Sequence, residues 1–176
     1  MGRECRTPRA WWSQATRERT AMCWRCDHPD RPVQDYLDEL YATMPKRGWA
    51  VQYVESERRP FAYTVGLTRC DLPELLITGV SPQRAVGLLN AVAFQAVNRG
   101  AFTAGARMTL PAGSRVELVE VEHPDAHLKF ATAFFGNQMS ALQVVWADER
   151  GRWPWAPDFD DGRGSQPGMG VRAVCN

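Results

Sequence analysis

Apolar and polar residues alternate along this chain with two different periods, and the switches between them mark out its elements. Val33, Tyr36, Leu37, Leu40, Tyr41 and Met44 recur at i, i+3, i+4, i+7, i+8 and i+11. That is the apolar stripe of a helix, which Asp30 can cap and Pro32 can open. Pro45 stops it and Gly48 turns the chain into "WAVQYVES", where Trp49, Val51 and Tyr53 alternate as in a strand. The stretch "FAYTVGLT" keeps the period of two. Phe61, Tyr63, Val65 and Leu67 share one face, while the small residues Ala62, Thr64, Gly66 and Thr68 share the other and predict close packing above them. "PELLITGV" is apolar on both faces after Glu74, the pattern of a central strand covered on both sides.

The period then returns to that of a helix. Ser81 is placed to cap it, Pro82 occupies its first position, Ala85, Leu88, Leu89, Val92, Ala93 and Ala96 form its buried stripe, and Gly100 ends it. "AFTAGARMTLPAGS" reads as a Gly-rich connection. In "RVELVEVE" the apolar phase slips between Leu118 and Val119, which predicts a β-bulge, with Glu117, Glu120 and Glu122 as the exposed face. "HPDAHLKFATAFFG" is a short helix between Pro124 and Gly136, and "SALQVVWAD" is a last strand closed by an "ADERG" turn. The remaining tail is too rich in Pro and Gly for regular structure. Its Trp153 and Trp155 are costly to expose and are expected to fold back onto the body.

These elements predict an α+β fold: a single compact domain with a mixed, mostly antiparallel sheet of about five strands and about three helices. The domain is expected over residues 22–170, after a basic extension at 1–21 and before a short tail at 171–176. Length and composition agree with one domain, since 176 residues at 44% hydrophobic and 23% charged can bury a full core and do not resemble a disordered chain. The net charge of +1 excludes an electrostatic grip on nucleic acid or anionic lipid over the whole surface, so any basic binding face must be local. Residues 1–21 contain five Arg and two Glu, a net of +3, which leaves −2 for the other 155 residues. Such an arm is either a nucleic-acid or partner-binding tail or sequence upstream of a natural start at Met22, and the absence of any pattern for burial favours the latter. Nucleic acid is expected only through this arm.

No apolar run approaches the roughly 20 residues of a membrane helix, and no apolar signal core stands at the start, so a cytoplasmic protein without membrane contact is expected. The cysteines Cys5, Cys23, Cys26, Cys70 and Cys175 are odd in number and irregular in spacing. Reduced thiols or a metal site fit them better than a disulfide framework.

The metal candidate is zinc at Cys23 and Cys26, whose Cys-x-x-Cys spacing lets two thiolates reach one ion from a single turn, with His28 beside them. Further ligands could come from His123 and His127, which have the spacing of one helical face although Pro124 puts His123 at the helix cap and can aim it away, or from Cys70. A paired second knuckle is missing, so the competing reading is that Cys23 and Cys26 pack as small apolar residues while His28 helps to cap the first helix. A redox pair would require a strand leading into the Cys-x-x-Cys, and none is predicted there. Ser81 resembles a nucleophile elbow in position alone, because "TGVSPQ" lacks the second glycine and Pro82 makes Ser81 an N-cap. Asp158, Asp160 and Asp161 lack the ligand spacing of a calcium loop and read as a solvated turn. Gly100, Gly105 and Gly113 do not form a phosphate loop. The segment best suited to recognition is Trp146, Arg150, Arg152, Trp153 and Trp155, since Trp and Arg dominate interface hot spots. Its competing reading is a tail stapled over an open sheet edge.

Taken in order, "CWRCDHP", "RGWAVQYVE", "FAYTVGL", "PELLITG", "ALQVVWADERGRWPW" and "GSQPGMG" resemble a family known as domain of unknown function 4262, common in actinobacteria and present in some of their phages. The resemblance spans roughly residues 22–170. It implies a start near Met22 and implies no activity. Two functions are therefore expected as alternatives. One is an intracellular binding module acting on a protein partner, a host protein if the gene belongs to a phage. The other is a small-molecule enzyme or a cofactor- or zinc-binding protein, with a site assembled from Thr64, Thr68, His127, Asn137 and Gln143.

Overall fold

Helix α1, Pro82–Arg99, is the central piece of one layer. Ser81 caps it with its hydroxyl accepting from the Arg84 N–H at 3.4 Å, Pro82 stands at its first position, and Gly100 ends it at φ 102°. Ala85, Leu88, Leu89, Val92, Ala93 and Ala96 are its buried residues, the stripe expected from the sequence. They pack on one face of a sheet together with Trp49, Ala62, Leu75, Ile77, Val116, Leu118, Val144 and Trp146. The computed structural model describes residues 30–32, 35, 38, 42, 48–56, 59–164 and 166–172. The first expected helix lies largely outside these residues. Of its span Asp35, Asp38 and Ala42 are described, and they are helical.

The described residues form seven strands and three α-helices, an α+β single domain. The strands are β1 (Ala50–Val54), β2 (Phe61–Val65), β3 (Glu74–Thr78), β4 (Arg107–Thr109), β5 (Arg115–Val121), β6 (Ala141–Trp146) and β7 (Gly170–Val171). Their order is β1-β2-β3-β6-β5-β4, with β7 on β5. Only the β3–β6 pairing is parallel, Glu74 opposite Ala141 to Leu76 opposite Gln143. The two strands beyond the expected five are β4 and β7, which share one edge of β5: β4 pairs Arg115 to Glu117, and β7 pairs Glu120 and Val121. Both are too short to show a period of their own.

The second face of the sheet is divided. Helices α2 (Pro124–His127) and α3 (Lys129–Phe135) cover Tyr63, Val65 and Leu76 with Leu128 and Ala131. The sequence predicts one helix here, but Leu128 leaves the helical region (φ −93°, ψ 59°) and is fully buried, which breaks it in two. The C-terminal segment covers the rest of that face.

This covering corrects the reading of β5. Its register against β6 is continuous from Val116 opposite Trp146 to Glu120 opposite Leu142, so the expected bulge is not present in that pairing. Val116 and Leu118 face one layer while Glu117, Val119 and Val121 face the other, and all five are buried. The apparent slip in phase is the signature of a strand covered on both faces. Glu117 is accordingly buried, and only Glu120 and Glu122 match the expected exposed face.

Candidate functional site

Strand β2 stops at Val65 because the chain bends around a buried carboxylate. Glu74, fully buried at the start of β3, accepts from the Thr64 hydroxyl (2.6 Å), the Gly66 N–H (2.9 Å), and the N–H (3.0 Å) and hydroxyl (2.9 Å) of Thr68. The Thr64 oxygen in turn accepts from the Leu75 N–H at 2.8 Å. Leu67 therefore leaves the alternation of β2 for a short 3-10 turn, Leu67–Cys70. The small face predicted for this strand has its reason at Gly66, where a Cβ would stand 2.7 Å from the carbonyl oxygen of Gly48. Burial pushes the Glu74 carboxyl above its ordinary pKa, and the four donors work in the opposite direction. With Tyr63 also raised, chiefly by burial, the region holds two titratable groups that resist ionisation.

A second network ties down the C-terminal segment. Gln143, buried on β6, donates from Nε2 to Thr78 Oγ1 (3.1 Å) and to the Pro167 carbonyl (2.8 Å), and its Oε1 accepts from the Met169 N–H (2.7 Å). Thr78 donates to the same Pro167 carbonyl at 2.9 Å. A Cβ at Gly170 would overlap the Glu120 carbonyl, so only glycine lets β7 pair so closely with β5. Pro167, Met169 and Gly170 of the motif "GSQPGMG" thus form a clasp on β5 and β6.

The turn after β6 is closed by charge. Asp148 accepts from the N–H groups of Arg150 (3.0 Å), Arg152 (2.8 Å) and Asp160 (3.0 Å) and from Arg152 Nε (2.7 Å). Arg152 also reaches Asp158 (3.1 Å) and Asp161 (3.0 Å). Desolvation of the Asp148 carboxyl opposes its ionisation, but the N–H groups of Arg152 and Asp160 and the Arg152 guanidinium outweigh it and lower the pKa to about 2. The turn is exposed as expected, while Asp158 and Asp161 also bind Arg152, Asp160 donates its N–H to Asp148, and Asp160 and Asp161 adopt left-handed backbone (φ 50° and 56°).

Beside this turn lies the candidate binding face. Trp153 and Trp155 stack with centroids 5.4 Å apart and planes at 9°. The Arg172 guanidinium sits 4.0 Å from the Trp155 centroid, and those of Arg107 and Arg115 lie 5.4 and 5.6 Å from that of Trp153. Glu117, 2% exposed, pairs with Arg107 Nε (2.7 Å) and Arg172 Nε (2.8 Å). Among the described residues the exposed large hydrophobic side chains are Trp155 (44%) and Val171 (60%), both in the C-terminal segment.

The residues singled out in the sequence are distributed unequally. Trp153 and Trp155 come together as a stack, but Trp146 does not join them: it is buried, packs on Phe159 at 5.2 Å and donates to the Thr78 carbonyl at 3.0 Å. Arg152 is spent on three aspartates, and Arg150 pairs with Asp161 at 2.9 Å. The arginines that touch the stack are instead Arg107, Arg115 and Arg172. Their place could not be read locally, because they come from three segments. The alternative site does not assemble either. Thr64 and Thr68 hold Glu74, Gln143 holds the clasp, His127 ends α2, and the Asn137 side chain lies outside the described residues.

Of the zinc candidates, Cys23, Cys26 and His28 lie outside the described residues. His123 and His127 do not form the expected helical pair, since His123 precedes α2 in left-handed backbone (φ 50°, ψ 58°). Cys70 is in a disulfide whose partner lies outside the described residues, so it brings no thiolate to a metal and departs from the expectation of reduced thiols. Among the described residues no group of three or more His, Cys, Asp and Glu is arranged to hold a metal ion. No described helix is long and apolar enough to cross a membrane.

No curated protein and no solved structure matches this chain. A family model does match, over residues 43–160, two thirds of the chain and a narrower span than the motifs outline, since "CWRCDHP" and "GSQPGMG" fall outside it. The chain belongs to the family described as domain of unknown function DUF4262.

Proposed function

We propose that this protein is a binding module that engages a protein partner through the face formed by Trp153, Trp155 and the arginines around them. The observation that carries the reading is the exposure of Trp155 within an ordered stack. An exposed Trp held rigidly beside guanidiniums is the composition of an interface hot spot, and little conformational entropy is left to lose on binding. The buried polar groups Glu74, Gln143 and Asp148 have their hydrogen bonds met inside the fold and are committed to structure.

The test compares the tagged wild type with Trp155→Ala in cross-linked extracts of the source cells. Partners recovered by the wild type are expected to be lost from the variant, with its melting temperature unchanged. Equal recovery by both proteins would refute the assignment of this face.

A further inference from the structure

We infer that this face recognises an acidic peptide segment through its unspent guanidinium donors, an inference that rests on the binding-module reading. Three guanidiniums, those of Arg107, Arg115 and Arg172, surround the Trp153–Trp155 stack. The carboxylate bound to them is Glu117, so these four groups, three positive and one negative, sum to +2. Glu120, the next acidic residue of β5, has the opposite parity along the strand and belongs to the other face of the sheet.

The distribution of donors is more telling than the charge. Glu117 is bound through Nε of Arg107 and Nε of Arg172. Among the described residues the terminal amino groups of both arginines have no hydrogen-bond partner, and Arg115 pairs with no carboxylate. The neighbouring turn is different. There Arg152 directs Nε and both terminal nitrogens at Asp148, Asp158 and Asp161. One arginine cluster is thus closed on itself, and the other is held in place with its amino groups unused.

Buried Glu117 fixes Arg107 and Arg172, the Trp rings support all three planar groups, and Gly151 leaves room for Arg115, since a Cβ there would stand 2.6 Å from its terminal nitrogen. Planar guanidinium forks held in this way match carboxylates in a bidentate manner, and preorganisation lowers the entropy lost on binding. Exposed Trp155 adds apolar contact for a peptide's other side chains.

Single-stranded nucleic acid would also answer a basic aromatic face, but it binds such faces by stacking bases on free rings. Here the two rings are stacked on each other and carry guanidiniums as well, so the ring surface is already engaged while the carboxylate-binding groups are not.

The full chain is titrated into fluorescein-labelled octaglutamate, octaglutamine and a deoxythymidine octamer, followed by anisotropy at ~0.05 and ~0.5 M salt. Octaglutamate is expected to bind at low salt, to weaken at high salt, and to weaken by about tenfold in Arg115→Gln, which removes a cation without orphaning a described carboxylate. Octaglutamine and the thymidine octamer are expected not to bind. The inference is overturned if octaglutamate does not bind, if Arg115→Gln binds it as well as the wild type, or if the thymidine octamer binds as tightly. In any of these cases, continued loss of partners from Trp155→Ala would leave the binding-module reading standing and remove only the acidic specificity.

Discussion

Gln166 grips Trp146 by its backbone. The Trp146 N–H donates to Gln166 Oε1 at 2.9 Å, and Gln166 Nε2 donates to the Trp146 carbonyl at 3.0 Å. Strand β3 pairs with β6 only as far as Gln143, so the end of β6 lacks a neighbour on that side, and one side-chain amide supplies the donor and acceptor of a missing strand residue. The C-terminal segment is therefore part of the sheet's hydrogen bonding, and it carries Arg172 to the binding face.

Gln166→Ala is expected to lower stability by about 1–3 kcal/mol, because it leaves the two backbone groups of Trp146 without their partner. Gln166→Glu keeps the acceptor and loses the donor, and should fall between wild type and alanine. Urea unfolding ranks the three, and faster amide exchange at Trp146 and Met169 would place the loss at the clasp. Wild-type exchange rates at both residues would refute this account.

Glu74→Ala is expected to cost ~3–5 kcal/mol, since it strands the donors of Thr64, Gly66 and Thr68 around a cavity. Glu74→Gln keeps the shape and should cost less. The pH dependence has a definite sign. The folded carboxyl holds its proton above the ordinary carboxylate range, so its contribution is fully present below the unfolded pKa and is lost as pH rises through the folded one. Denaturant midpoints should therefore fall with rising pH more steeply in the wild type than in Glu74→Gln, and parallel curves would show that the burial of this carboxyl carries no such penalty.

Asp148 has the opposite linkage. Its folded pKa of about 2 lies below the ordinary value of 3.8, so the stability it adds is present above the unfolded pKa and is lost as pH falls from about 4 towards 2. Asp148→Asn removes that acid-labile part. The variant should be less stable than wild type at neutral pH and should approach it near pH 2, as followed by circular dichroism. A constant difference between the two across this range would contradict the ionised role of Asp148.

What was legible in the sequence and what was not divide along a physical line. Helix α1 could be read from Ser81 to Gly100, with all six of its buried residues, because a cap and a 3.6-residue period are local properties of the chain. The strong strands β2, β3 and β6 and the α+β class could be read for the same reason, whereas Trp155, expected to be too costly to expose, is 44% exposed. Strands β4 and β7 could not, since three and two residues carry no period and exist by pairing with the edge of β5. Nor could the burial of Glu117, which depends on arginines from β4 and from the end of the chain, or the clasp at Thr78 and Pro167, 89 positions apart. The same holds for the binding face. The sequence places Trp153 and Trp155 next to Arg150 and Arg152, but the aspartates of the turn claim those arginines, and Arg107, Arg115 and Arg172 reach the rings only when the sheet and its C-terminal segment close over one another. Local pattern determines which residues seek burial, while the choice of partner for a buried charge or amide is made by whichever segment the completed sheet brings within hydrogen-bond distance.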